Sequence, residues 1–376
     1  MVRDLRVLQV IDHLEVGGAQ RLLEVLRSGT PPDRTIEILS MGSEGDPLYA
    51  RLSRKNVQIT VEPDCRLWRP SSYFRIFKAI RRIRPDVIHV HLTSATIVGA
   101  IAGWLARCPV VVTIHSTRTV QVTGLRGRCL RFLETATIRL FVDRIIFVGK
   151  VTAEANRHRF GRIPMVTIDN VVEPPDRALA LRRAQTRTAF GAQDGDVVIL
   201  STGRLTPVKN IGLLLQAFAK VRSAHPEAKL WVCGDGSMAA ALAEQAASLA
   251  LGDAVSFLGG RDDVPVLLQA VDIYALSSDA EGLPLALLEA MSAGLPVVAT
   301  AVGSVPDYVE GGAGLIVAPR QVDDFGNALS RMVGDTAFRA DAGRVARERA
   351  DAFTDVVTWR EAVEAEYAKA KHGPTR

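Results

Sequence analysis

Two glutamates eight positions apart, Glu281 and Glu289, stand in the run Ser277–Thr300, SSDAEGLPLALLEAMSAGLPVVAT. Glu281 and Gly282 belong to a polar turn. Pro284 sits where a helix can begin, because its fixed φ suits a first turn and its missing N–H has no partner there. Leu285 to Ala293 are strong helix formers, Gly294 stops the helix and Pro296 keeps it from resuming. Val297–Thr300 then reads as a short buried strand. Loop, helix N-terminus and strand together make an anion site, since the first-turn N–H groups lack intrahelical partners. The N–H groups of Leu283 and Leu285 would point at a phosphate, with Glu281 on the loop and Glu289 one turn inside the helix. A second element suits the same ligand. After the strand Asp196–Thr202 comes Gly203-Arg204-Leu205-Thr206-Pro207-Val208-Lys209-Asn210, a glycine and two cations flanking a turn, as a desolvated diphosphate requires. A third is the glycine pair Gly17-Gly18 between the strand Leu5–Ile11 and a helix reaching Leu26, where the backbone can approach a phosphate closely. His91 and His115 end the apolar runs DVIHVHL and VVVTIH, at the carboxyl edge where open α/β sheets place ligands. Each histidine also fits a structural role, and for His91 the two readings stand level.

These stretches resemble the E-x7-E signature of the retaining glycosyltransferases of family 4. The unbroken Glu-Gly-Leu-Pro, Leu-Glu-Ala-Met and Ala-Gly-Leu-Pro-Val-Val-Ala-Thr carry the resemblance, together with Gly203-Arg204…Lys209-Asn210 and His115 in Thr-Ile-His-Ser. It implies a GT-B fold, two Rossmann-like domains facing each other across a cleft. It implies a hexosyl- or N-acetylhexosaminyl-transferase using a UDP- or GDP-linked sugar as substrate. Arg204 and Lys209 would take the phosphates, Glu281 the sugar hydroxyls and Glu289 the ribose. His115 would touch the donor sugar rather than act as a general base, and Gly17-Gly18 would face the pyrophosphate and the acceptor. The loop after Phe257-Leu258-Gly259 would hold the base mostly through its backbone, with Arg261 as the candidate position. Val171, Ser304 and Asp307 depart from the family's Asn-Gly and Gly-Gly-x-Pro-Glu patterns. No Asp-x-Asp motif stands at a strand edge, so neither a metal nor a cofactor is expected. Two alternatives remain, a nucleotide-sugar epimerase of this fold and a non-catalytic subunit. A dinucleotide dehydrogenase is disfavoured, because neither glycine loop reads Gly-x-Gly-x-x-Gly.

The elements that must position these residues follow from 376 residues, long for one core and natural for two. Residues 1–172 form the expected acceptor domain, 190–352 the nucleotide-sugar domain, and 353–376 a terminal helix crossing back to the first. Asn170–Pro175 reads as the linker. Further strands are expected at Thr35–Ser40, Val57–Val61, Asp143–Val148, Val166–Ile168, Lys229–Cys233, Val255–Leu258 and Asp272–Leu276. Helices are expected at Ser94–Leu105 and Val264–Ala270. The stretch Ser116–Arg131 reads as a polar arginine-bearing loop.

Charge divides the chain. Residues 1–170 carry 26 Lys and Arg against 15 Asp and Glu, a net +11; the remainder carries 20 against 26, a net −6. The basic half suits an anionic surface or acceptor. The helix Tyr73–Arg84 sets Tyr73, Phe74, Ile76, Phe77, Ile80 and Ile83 on an apolar side, with Arg75, Lys78, Arg81, Arg82 and Arg84 around it. Such a helix is most often core with a solvated face; its functional reading is contact with anionic lipid or a lipid-linked acceptor. The expected placement is cytoplasmic, peripheral at a membrane's inner face, with a lipid-linked or glycan acceptor and no nucleic-acid partner. The four cysteines lack metal-ligand spacing, and no leader segment is expected from the short run Val7–Ile11.

Overall fold

The computed structural model describes residues 5–15, 17–28, 36–55, 57–117 and 124–373. By internal contacts the chain divides into two compact units, residues 1–170 with 356–376, and residues 171–355.

The first unit is built on seven parallel strands: β1 (Val7–Ile11), β2 (Glu37–Ser40), β3 (Gln58–Val61), β4 (Val87–His91), β5 (Val110–Ile114), β6 (Arg144–Phe147) and β7 (Met165–Thr167). Their order across the sheet is β3-β2-β1-β4-β5-β6-β7. The central strands are apolar runs because helices cover both faces, leaving no solvated side to alternate toward. Right-handed crossovers decide which helix covers which face. The chain moves one way across the sheet from β1 to β3, then the other way from β3 to β6. The helices Pro70–Ile83, Thr93–Leu105 and Gly124–Phe141 therefore share one face and pack side by side. Their buried residues Ile76, Ile80, Ala95, Val98 and Ile138 form one core with Val10, Val90 and Val112. Gly18–Ser28 and Pro47–Arg54 lie on the other face, joined there by the last helix, Val356–His372. That helix buries Val363, Tyr367 and Ala370 against Val87, Val111 and Ile146.

The second unit has six parallel strands: β8 (Val197–Thr202), β9 (Ala228–Cys233), β10 (Val255–Gly259), β11 (Ile273–Leu276), β12 (Val297–Thr300) and β13 (Gly314–Val317). They are ordered β10-β9-β8-β11-β12-β13. Ile211–Ala224 and Val322–Gly334 pack on one face, where Leu214, Phe218, Phe325 and Leu329 are fully buried. Both sheets reverse their strand order once, between β1 and β4 and between β8 and β11. Open α/β sheets present ligands at the carboxyl ends of the strands flanking such a reversal.

Three expectations change. Residues 124–131 are not loop; they begin the helix Gly124–Phe141, which carries Arg126, Arg128 and Arg131, while Arg118 lies outside the described residues. Val171 and Val172 are buried, and the Val172 N–H donates to the Phe353 carbonyl, so the second unit starts well before Phe190. The segment after Pro175 is helical. Arg183 and Arg187 there both pair with Asp272, at 2.5 and 3.0 Å. Phe74, read on the apolar core side of its helix, is 61% exposed with the Lys78 ammonium over its ring.

Candidate functional site

In the second unit the candidate residues gather at the β8/β11 reversal. The helix runs Leu285–Ser292 with Pro284 as its N-cap, one residue later than expected. Gly294, at φ +81°, ends it, and the N–H groups of Gly294 and Leu295 bond back to Met291 and Ala290. The loops leaving β8 and β11 are tied together. The Ser277 hydroxyl donates to the Lys209 carbonyl at 3.0 Å, and the Asp279 N–H donates to the Val208 carbonyl at 2.8 Å. Asn210 caps the Ile211–Ala224 helix with its side-chain oxygen and donates its amide to Asp279 at 2.9 Å. Held this way, Lys209 lies across Gly203 and its Nζ meets Glu281 Oε1 at 2.6 Å. The Ser278 hydroxyl donates to the same carboxylate oxygen at 2.7 Å.

Gly282 is fixed from the other side. The Ser304 N–H donates to its carbonyl at 2.9 Å. A Cβ at Gly303 would fall 2.4 Å from that carbonyl oxygen, so only glycine lets the two loops approach. Because a trans peptide is planar, with C=O and N–H opposed, the Leu283 N–H points away from the Gly303 loop. Ser304 serves here through its main chain, and its buried hydroxyl has no partner. Beneath the loop, Tyr274 is fully buried and bonds Thr202 at 3.1 Å. Burial raises its pKa, and the charges of Glu289 and Glu281 push it the same way.

Arg204 is exposed on the β8 loop. Arg261 is engaged by protein. It forms a two-pronged bond to Asp263, 2.7 Å on each side, and stacks over Phe190 at 4.8 Å. Its guanidinium is thus a brace for the β10 loop, with Asp263 as its partner.

In the first unit the β1 loop leads into the helix Gly18–Ser28. Gly17 accepts from the Arg21 N–H at 2.9 Å, and the space around Gly18 is open. Gln20 folds back onto the His13 carbonyl at 3.2 Å. Asp12 reaches across the β1/β4 reversal and accepts from the Ser94 and Ala95 N–H groups, capping the Thr93–Leu105 helix. The anion-attracting end of that helix is therefore filled by the protein's own carboxylate. His91 and His115 are hydrogen-bonded to each other, Nδ1 to Nε2, at 3.0 Å. Burial depresses both, His91 well below the usual imidazole range and His115 to about 4.

Sequence reasoning missed Gln9, Asp12, His89 and Tyr367 in the first unit, and Ser278 and Asp279 in the second. Gln9 and His89 had a signal, since each is a polar residue inside an otherwise apolar strand and needs a buried partner. Among the described residues, no group of three or more His, Cys, Asp or Glu is placed to hold a metal ion.

Two Rossmann-like units, each with candidate residues at a strand-order reversal, are the units of a GT-B fold, and the comparisons identify the family. Residues 16–174 match the family described as Glycosyltransferase Family 4, and residues 182–349 match Glycosyl transferases group 1. The chain belongs to this group of GT-B glycosyltransferases. It is 31% identical over 333 residues to the 2-deoxystreptamine glucosyltransferase of Streptomyces kanamyceticus, spanning 80% of this chain and 85% of that one. It is 27% identical over 279 residues, 70% of each chain, to an Escherichia coli UDP-Gal:alpha-D-GlcNAc-diphosphoundecaprenol alpha-1,3-galactosyltransferase. Among solved structures, Anabaena HepE in complex with UDP and glucose matches with a TM-score of 0.84 at 22% identity. It covers 97% of this chain and 100% of that chain.

Proposed function

We propose that this chain moves a hexosyl or N-acetylhexosaminyl group from a UDP- or GDP-linked donor, with retention and without a metal, in the synthesis of a cell-envelope or related glycan. The observation that carries this reading is the Lys209–Glu281 pair, set between the β8 and β11 loops beside the N-terminus of the Leu285–Ser292 helix. Lys209 and Glu281 neutralise each other at 2.6 Å. A donor diphosphate competes for Lys209, joined by Arg204 and the first-turn N–H groups, and leaves Glu281 to accept hydrogen bonds from sugar hydroxyls. Glu289 takes the ribose, and His115 contacts the sugar. As the bond from the anomeric carbon to the phosphate oxygen breaks, charge grows on the diphosphate, where these donors are already oriented. The acceptor oxygen bonds to the same face of that carbon, and its proton goes to the departing phosphate oxygen. Incubating the protein with a panel of nucleotide sugars and following thermal stability should single out one donor, since a ligand bound to the folded state raises it. With that donor and its acceptor, NMR should show the original anomeric configuration, and EDTA should leave the rate unchanged. An inverted linkage or activity abolished by EDTA would overturn the assignment.

The acceptor is assigned to the first unit and is lipid-linked or met at a membrane surface. The three-helix face supports this reading. Phe74, Trp104, Leu105, Leu125, Phe132 and Leu140 are each half or more exposed on it. Lys78, Arg81, Arg82, Arg84, Arg126, Arg128 and Arg131 stand exposed among them. Apolar side chains interleaved with cations suit an anionic bilayer surface. Among the described residues no helix is long and apolar enough to cross a membrane.

A further inference from the structure

Beneath His115 runs a buried polar chain that the reaction itself does not require. Gln9 on β1, His89 and His91 on β4, and Thr113 on β5 occupy the face covered by the last helix, which supplies Tyr367. Gln9, His89, His91, Thr113 and Tyr367 are each no more than 6% exposed. The contacts are continuous. Thr113 Oγ1 meets His89 Nε2 at 2.7 Å, and His89 Nδ1 meets Tyr367 Oη at 2.7 Å. Tyr367 Oη receives Gln9 Nε2 at 3.2 Å, and Gln9 Oε1 meets His91 Nε2 at 2.9 Å. His91 Nδ1 then meets His115 Nε2 at 3.0 Å.

Such a chain has a direction, and the Gln9 amide sets it. The amide has donors on one end and an acceptor on the other. Its nitrogen donates to Tyr367, so the tyrosine proton turns to His89 Nδ1, and His89 donates from Nε2 to Thr113. Its oxygen accepts from His91, so His91 carries its proton on Nε2. A neutral imidazole with Nε2–H has a lone pair at Nδ1, and that lone pair requires a proton on His115 Nε2. Neutral rings fit the site, since burial lowers His89 to about 3 and His115 to about 4. Each of the five contacts then has one donor and one acceptor. Reversing the amide would invert every step together, so no intermediate arrangement is satisfied.

We infer that Gln9 and Tyr367 are positioning residues that hold His115 as its Nε2–H tautomer, leaving Nδ1 as the ring's hydrogen-bond acceptor. His115 consequently receives a hydrogen bond from a ligand hydroxyl and gives none. The tautomer follows from the chain alone; its use on a donor sugar rests on the function proposed above. The last helix, which carries none of the signature residues, thus sets the polarity of a site residue.

Long-range 1H–15N correlation spectra of the full-length protein at pH 7 read the tautomer directly. The expected pattern is a protonated Nε2 and a lone-pair Nδ1 at His115 and at His91. Tyr367→Phe leaves the amide nitrogen unpartnered and frees the amide to turn, so His115 should become a tautomer mixture. Gln9→Met breaks both branches and should do the same. Each variant should lose about tenfold in kcat/KM for the donor, the size of one neutral hydrogen bond. A residue that merely fills space would leave the nitrogen shifts of His115 unmoved. Nδ1–H at His115 in the wild type overturns the inference, as does an unchanged tautomer in both variants. If a variant fails to fold, the wild-type spectrum still decides the direction of the chain. A tautomer that shifts while donor turnover stays constant upholds the chain and removes His115 from the sugar site.

Discussion

Lys209 is the residue on which the proposed chemistry turns, because it is the cation that two loops converge to hold. Lys209→Ala should lower kcat on the order of 10²-fold or more, the usual cost of losing one electrostatic stabiliser of a developing charge. Steady-state nucleotide release measures it, and wild-type turnover in the variant would take Lys209 out of the site. The lysine and its glutamate were legible as types and spacings. Their mutual contact was not, since it depends on how the β8 and β11 loops cross 72 residues apart. The buried histidines carry a second prediction. In the unfolded chain an imidazole titrates near 6.5, while His115 and His89 in the folded protein sit near 4 and 3. Between those values the unfolded state binds more protons, so stability is full above pH 6.5 and falls as the pH drops below it. By pH 5 the loss should reach about 2 kcal/mol for each histidine kept neutral. Urea midpoints from pH 7 to 5 should show it, and His89→Gln should flatten the slope by one proton. A midpoint that does not move would mean these imidazoles take up protons while folded.

At the scale of the element, the helices of the exposed face show where sequence periodicity misleads. The Gly124–Phe141 helix buries Gly127, Glu134, Thr137 and Ile138 and leaves Leu125, Phe132 and Leu140 outside. Ile138 is the one large apolar residue among those four, so no stripe announces a helix and its arginines read as loop. In Pro70–Ile83 the stripe was legible and mostly true, with Ile76 and Ile80 in the core, yet Phe74 on its margin points out. Strands fared better, since short β-branched runs between turns have few other readings. The outward apolar residues now serve a prediction. Cations near an anionic surface contribute about 1 kcal/mol each, and they weaken within a Debye length of salt. The protein should co-sediment with anionic but not neutral vesicles, salt should release it, and Arg81→Glu/Arg82→Glu should weaken it. Phe132→Ser should weaken it as well, by removing apolar area that salt does not screen. A protein that stays in the supernatant with anionic vesicles at low salt would leave the basic face to a water-soluble acceptor.

For the molecule as a whole, the consequential feature is that the chain leaves the first unit at residue 170 and returns to it at residue 356. Two Rossmann-like sheets were legible from the repeated strand–glycine–helix order. The debt of the first to the last helix was not, because Val356–His372 has no motif and acquires its role by packing. Trp359, Val363, Tyr367 and Ala370 close the face over Val87, Val111 and Ile146. Arg144 on β6 meets the buried Glu366 at 2.6 Å, and Lys369 reaches the same carboxylate. Removing the helix exposes that apolar face, strips the partner of Gln9 and His89, and leaves Arg144 without its carboxylate. The second unit has no such debt, since its sheet and both flanking layers lie within one continuous stretch. A fragment of residues 171–355 should therefore unfold cooperatively in urea by itself. A fragment of residues 1–170 should not, and should bind a hydrophobic dye instead. Joining residues 356–376 to 1–170 through a flexible linker should restore a cooperative transition, and placing Tyr367→Phe in that fusion should lower its midpoint. If residues 1–170 unfold cooperatively without the helix, the last element is an accessory to a core that is already complete.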